Sequence, residues 1–257
     1  TGYNIVVVDG AEGYAPRAQY DRIMVTAGIW DMPTPWIRQL KPDGRIVAPV
    51  WIDGLQVAAA FTLDEDGTLY SDTMTPSTFV YIRGVAAGPQ VSKRIGSTSL
   101  RLIADDITQV DPIALATLLS ADHEAVQLSK PLNKWDYWYG FLPYLMLNEP
   151  RQNIFALYHL LQGGKAYGLE GEGFVLLTPA SACFVPYYGL GFAHNFAGAD
   201  AYLAGEDYLK RWQDAGRPGL DRLRLRLVPK TQDRPTVTNG KVYDRRDHYL
   251  AVWMEED

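Results

Sequence analysis

Four consecutive β-branched residues, Ile5-Val6-Val7-Val8, run directly into Asp9-Gly10, with a second glycine at Gly13. A short apolar run bounded by turn residues reads as a buried strand. Gly10 lets the chain turn sharply at the strand's carboxyl end, where open α/β sheets bind their ligands. Asp9 then sits on the rim of the sheet, placed to accept a hydrogen bond from a ligand amine. An ordinary strand-to-loop turn has the same composition, so the neighbouring segments must decide between the two.

The segments that follow alternate strand, loop and helix. Arg22 to Thr26 reads as a strand, and Pro33 to Leu40 as a short helix with a proline in its first turn, where a missing N–H does no harm. Lys41-Pro-Asp-Gly44 is a turn: proline presets one φ, and glycine takes the conformation other residues resist. Arg45 to Val50 and Leu55 to Leu63 are strands. Asp64-Glu-Asp-Gly67 closes a hairpin, and Thr75 to Ile82 brings the chain back as a strand. The acidic run in that hairpin is a solvated turn, because a calcium loop needs more oxygen ligands at set spacings.

Three of these stretches carry a pattern: Asn4-Ile-Val-Val-Val-Asp-Gly-Ala-Glu-Gly13, then Gln19-Tyr-Asp-Arg-Ile-Met-Val-Thr-Ala-Gly28 with prolines after it, then Gln39-Leu-Lys-Pro-Asp-Gly-Arg-Ile-Val-Ala-Pro-Val50. In this order and spacing they resemble the protein-L-isoaspartate O-methyltransferase family, which shows a strand ending GDGxxG, then YDRIxVTAG, then QLxxGGRxVxPV. Two positions depart from the pattern. Val8 stands where the family usually has glycine before the aspartate, and Asp43 replaces the first glycine of the GG pair. The resemblance spans residues 1 to about 85.

The resemblance implies an α/β fold, an incomplete doubly wound class I methyltransferase sheet, and S-adenosylmethionine as cofactor. It places Asp9 and Gly10 against the adenine end of that cofactor. It places Thr26, Ala27 and Gly28 beside the methyl group and the incoming carboxylate. The substrate implied is an aspartyl or isoaspartyl side chain of a peptide or protein. Such chemistry needs little acid–base help, since the sulfonium is already activated and the carboxylate already ionised near neutral pH. Alignment and exclusion of water are what the protein must supply. That suits a stretch rich in Gly, Thr and Pro.

The family's glycine-rich cofactor loop lies upstream of all three motifs, and Thr1-Gly2-Tyr3 looks like the end of a helix before the third strand. The chain is therefore expected to be the C-terminal portion of a longer protein whose N-terminal half is a missing partner. With its neighbours absent, Ile5 to Val8 is expected to be displaced, paired with Arg22 to Thr26, or paired across a dimer. The Arg22 to Thr26 edge is expected to be bare.

Residues 86 to 257 show no such pattern and are expected to form an accessory α+β domain that helps select a peptide. Asp111 caps a helix opened by Pro112, and Leu115, Leu118 and Leu119 form its apolar stripe. Trp135 to Leu147 is dense in aromatics and reads as a core helix; an exposed groove there would instead mark a non-catalytic peptide-binding module. Asn153 to Leu161 reads as an apolar helix. Gly168 to Gly173 precedes the strand Phe174 to Thr178, the wrong order for a phosphate loop, and is a tight turn. Ala182 to Tyr188 is the hairpin partner of that strand. His194 reads as a loop or satisfied core histidine and not a ligand. Ala199 to Ala215 is a helix, and Leu220 to Val228 alternates leucines with Arg222, Arg224 and Arg226 as a half-buried strand. His248 to Met254 is the last strand.

Composition narrows the function classes. A length of 257 residues, 47% apolar and 21% charged, suits one large or two ordinary globular domains. The net charge of −6 argues against a nucleic-acid surface. No apolar run approaches the ~20 residues of a membrane span. A single cysteine, Cys183, excludes an internal disulfide and a cysteine zinc site, so no metal is expected. These features suit the cytoplasm.

Overall fold

The computed structural model describes residues 3–121, 123–148, 153–161, 163–188 and 191–256. Thr1 and Gly2, expected at the end of a helix, lie outside them. In chain order the strands are β1 (Tyr20–Met24), β2 (Leu40–Ile52), β3 (Leu55–Leu63), β4 (Leu69–Ser71), β5 (Met74–Pro76), β6 (Ser92–Arg94), β7 (Leu100–Ile103), β8 (His123–Gln127), β9 (Ile154–Leu160), β10 (Lys165–Ala166), β11 (Leu169–Glu170), β12 (Glu172–Leu177), β13 (Ser181–Pro186), β14 (Phe192–Ala197), β15 (Leu223–Pro229), β16 (Gly240–Asp244) and β17 (His248–Met254). The α-helices are α1 (Thr34–Arg38), α2 (Pro112–Leu119), α3 (Lys134–Asp136), α4 (Leu142–Asn148) and α5 (Asp200–Asp214), with a π-helical turn, Tyr137–Phe141, joining α3 to α4.

Two compact units form. One comprises residues 1–51, 56–89 and 221–257, the other residues 52–55 and 90–220. The division differs from the sequence expectation of 1–85 and 86–257 at its C-terminal end. β15, β16 and β17 join the first sheet, whose order is β1-β2-β3-β4-β15-β17-β16, with β5 on β3. The physical reason lies in two half-satisfied elements. β4 is three residues long, and its Leu69 is fully buried. Leu223, Leu225 and Leu227 of β15 present an apolar face that the same sheet buries, to 1% exposure or less. The register sets Leu225 opposite Ser71 and Leu227 opposite Leu69.

Of the expected doubly wound arrangement, the structure shows one parallel ladder, β1 on β2, and two parallel bridges, Gly28 to Tyr81 and Ile29 to Val50. β1 is the outermost strand, so its other edge is bare, as expected. Lys41-Pro-Asp-Gly44 forms no free turn. Tyr20 pairs with Leu40 and Arg22 with Arg45, so these four residues bulge out within β2. Thr75 to Ile82 is strand only at its start, then touches Gly28 through Tyr81.

Ile5 to Val8 forms no strand. The side chains are exposed, Ile5 at 83% and Val7 at 96%. A β-branched run becomes a strand when a neighbour accepts and donates its backbone hydrogen bonds; among the described residues none does so here. The expected pairing of this run with Arg22 to Thr26 is thus not what the fold shows, nor is its expected burial.

The second unit carries a seven-stranded antiparallel sheet, β6-β7-β9-β12-β13-β14-β8. Asn153 to Leu161, expected as a helix, is strand β9, held between β7 and β12. Short apolar runs do not reveal their period; seven residues and the positive-φ Gly163 just beyond suit a strand. α2 forms as expected, with Asp111 Oδ1 accepting from the Ile113 and Ala114 amides at 2.8 and 3.1 Å. The core of this unit gathers Leu115, Tyr158, Phe184 and Phe196. The turn at Tyr167-Gly168, both at positive φ, joins β10 to β11.

Candidate functional site

The first corner is built by local capping. Asp9 Oδ1 accepts from the Ala11 amide at 3.0 Å and so caps a 3-10 turn, Gly10–Glu12. Gly13 ends that turn at φ +65°, a left-handed conformation that favours glycine. Helix α1 braces the turn from behind. Trp36 Nε1 donates to the Gly10 carbonyl at 2.8 Å. Gln39, buried, accepts from the Tyr14 amide at 2.8 Å and donates to the Glu12 carbonyl at 2.7 Å. The proline-rich helix after the second corner therefore exists, in part, to hold the first.

The second corner continues β1. The Val25 amide still bonds the Val47 carbonyl, at 2.8 Å, and the Ile29 amide bonds the Pro49 carbonyl, also at 2.8 Å. Thr26-Ala27-Gly28 spans the gap between these two ladder bonds. Gly28 is buried, with its amide on the Val80 carbonyl at 2.7 Å. A methyl group there would overlap the amide of Gln56, which is itself committed to both backbone polar groups of Phe79.

One cleft of about 680 Å³ is lined by Gly10, Thr26 and Ala27, with apolar walls from Val6, Val8 and Met24. Asp9 and Gly28 are not on its lining. Asp9 has one oxygen committed to capping, and Gly28 sits behind the wall. Arg17 and Arg22 also face the cleft. Arg22 donates to the Asp21 carbonyl at 2.7 Å, and Arg17 to the side-chain oxygen of Asn4. Beyond Gly10 there is open space: a Cβ built on that residue meets nothing within 4 Å.

A second polar cluster was not anticipated from the sequence. Asp31, in the segment that leaves the second corner, is buried and bonds the buried His248 of β17, Oδ1 to Nδ1 at 2.8 Å. It also accepts from the Met32 and Asp247 amides at 2.8 and 2.6 Å. Burial alone would raise the Asp31 pKa; the His248 hydrogen bond and charge and the two amides outweigh it and hold the carboxyl below its usual range. The readable signal was a lone acid in Ile29-Trp-Asp-Met-Pro33, an otherwise apolar run.

Elsewhere, Trp135 to Leu147 is largely interior: Tyr137, Phe141, Leu142 and Leu145 are buried, whereas Trp135 and Tyr139 face out. That segment packs as the expected core helix. His194 lies on β14 with its Nδ1 buried and, among the described residues, without a hydrogen-bond partner, 5.4 Å ring to ring from His123, so it is neither the loop nor the satisfied core histidine expected. Cys183 is buried, and burial pushes its thiol up to about 12. Among the described residues no cluster of three or more His, Cys, Asp or Glu could hold a metal ion.

In this α/β unit, Gly10 of the first corner and Thr26 and Ala27 of the second line one cleft that runs along the parallel edge strand β1. Residues 2–86 match the family described as protein-L-isoaspartate(D-aspartate) O-methyltransferase. Protein-L-isoaspartate O-methyltransferase of Hyperthermus butylicus is 42% identical over 80 residues, covering 31% of this chain and 33% of that protein. Protein-L-isoaspartate O-methyltransferase 2 of Archaeoglobus fulgidus is 42% identical over 80 residues, 31% and 36% of the two chains. A solved protein-L-isoaspartate O-methyltransferase aligns with 86% of this chain and 55% of its own at 16% identity and a TM-score of 0.32, too low to equate the folds. The chain spans about a third of the length of the curated relatives it matches.

Proposed function

We propose that this chain forms part of an S-adenosylmethionine-dependent O-methyltransferase acting on an aspartyl or isoaspartyl carboxylate of a peptide or protein, in the cytoplasm. The observation that carries this reading is that Gly10, Thr26 and Ala27, from two separate family motifs, line one cleft. The cleft suits the adenosyl group in two respects: the open space over Gly10 and the apolar walls of Val6, Val8 and Met24. When bound, the cofactor supplies an activated methyl group. Thr26 and Ala27 border the space where the acceptor carboxylate would lie. Trp36 and Gln39 keep the first corner in place. No side chain has to move a proton, because the acceptor is already ionised; orientation is the main requirement.

In this reading the doubly wound sheet is completed along the bare edge of β1. The missing strands there, with the glycine loop, supply the rest of the donor pocket, and this chain alone binds the cofactor weakly. The central unit, residues 90–220, helps select the peptide. The test is mass spectrometry of an isoaspartyl-containing peptide incubated with S-adenosylmethionine and the complete gene product. The expected result is the gain of one methyl group on the acidic side chain, lost in Thr26→Trp. A folded, cofactor-binding protein that methylates no acidic side chain in aspartyl or isoaspartyl peptides contradicts the reading.

A further inference from the structure

The turn between β16 and β17, Arg245-Arg246-Asp247, lies outside the matched segment 2–86, yet Arg245 and the Asp247 amide reach the chain that leaves the second corner, at Trp30 and Asp31. Arg245 is 2% exposed. Its guanidinium lies 5.1 Å from the centre of the Trp30 ring and 5.3 Å from that of Tyr243. It donates to the Trp51 carbonyl at 3.3 Å. Arg246 donates to the carbonyls of Val85 and Ala87 at 2.5 and 2.6 Å. The Asp247 amide and His248 Nδ1 each take one oxygen of Asp31. Trp30 in turn packs so closely on Gly88 that a methyl group there would overlap it.

We propose that this turn is a clasp that sets the position of the Thr26–Gly28 corner, with Asp31 and His248 as its positioning residues. The inference rests on the methyltransferase reading for its consequence, not for its geometry. The corner has two anchors. One is the β2 ladder, through Val25 and Ile29. The other is Asp31, three residues beyond Gly28. A buried carboxylate that loses its partner is strongly destabilised, so Asp31 stays in register only while His248 and the Asp247 amide hold it. An interaction that places reacting groups acts on turnover and acceptor affinity more than on donor affinity.

The test compares His248→Phe, which removes the donor, with His248→Asn, whose amide nitrogen can reach the place of Nδ1. Both are made in the complete gene product. Hydrogen exchange and methyl-transfer kinetics are read on each. In His248→Phe, the Gly28 and Ile29 amides are expected to exchange about tenfold faster, while those of Ala11 to Tyr14, braced by Trp36 and Gln39, keep the wild-type rate. kcat/KM for the acceptor falls by about tenfold, with KM for S-adenosylmethionine unchanged. His248→Asn recovers both. Unchanged exchange at Gly28 and Ile29, acceleration spread evenly through residues 3–89, or an Asn variant no better than Phe overturns the clasp. A wild-type protein that transfers no methyl group refutes the methyltransferase reading, and the exchange comparison then still decides the clasp.

Discussion

Gly10 and Gly28 sit in the two corners for opposite reasons. A side chain at Gly10 meets open space, whereas one at Gly28 collides with Gln56, whose amide is already bonded to Phe79. Gly10→Ala should leave stability within about 0.5 kcal/mol of wild type. Gly28→Ala should cost about 1–3 kcal/mol by displacing a buried, hydrogen-bonded amide. Urea denaturation of the two variants checks the contrast. Asp31 makes a second prediction at this scale. Its carboxyl is depressed in the folded state, so its stabilisation is present above the unfolded pKa and is lost as pH falls through the folded one. Wild-type stability should therefore drop progressively below about pH 5, and Asp31→Asn should flatten that slope while lowering stability at neutral pH. An identical acid slope in the variant would remove Asp31 from the account. None of these pairings was visible in sequence, because Asp31 and His248 lie 217 positions apart. The residue types of the corners were legible; that Asp9 would spend an oxygen on capping Ala11, and that Gly28 would sit behind the cleft wall, were not.

Elements with local signals formed where the sequence placed them. Asp111-Pro112 fixes the start of α2 through two side-chain-to-amide bonds. The Asp64–Gly67 turn closes β3 on β4 with Gly67 at φ +85°. β17 matches its expected bounds, His248 to Met254. Elements whose state depends on a neighbour were misjudged. β9 is a strand because β7 and β12 flank it, and Ile5 to Val8 is not one because nothing among the described residues pairs with it. The edge of β1 carries a consequence. Met24 is 77% exposed on that edge, and a bare apolar edge recruits other strands. This chain should self-associate with rising concentration in sedimentation velocity, and Met24→Lys should shift it towards monomer. A monomer at all concentrations in the wild type would contradict this.

Across the whole molecule, the sequence located the segment that matches the methyltransferase family model and missed what else belongs to its sheet. The leucine–arginine alternation of β15 announces a half-buried strand but cannot say which sheet buries it; Leu69 of β4 answers that. The first unit thus joins two distant stretches of chain, and the C-terminal one reaches the N-terminal one where the Asp247 amide bonds Asp31. The central claim is that the two glycine-bearing corners form one side of a single donor pocket. Calorimetric titration of S-adenosylhomocysteine into the complete gene product tests it most directly, using Gly10→Leu and Thr26→Leu, each checked for a wild-type melting transition. Binding weakened about tenfold or more in both variants is predicted, since each side chain projects into the same cleft from a different segment. Wild-type affinity in either variant would mean that the two corners do not share a ligand, and the claim would fall.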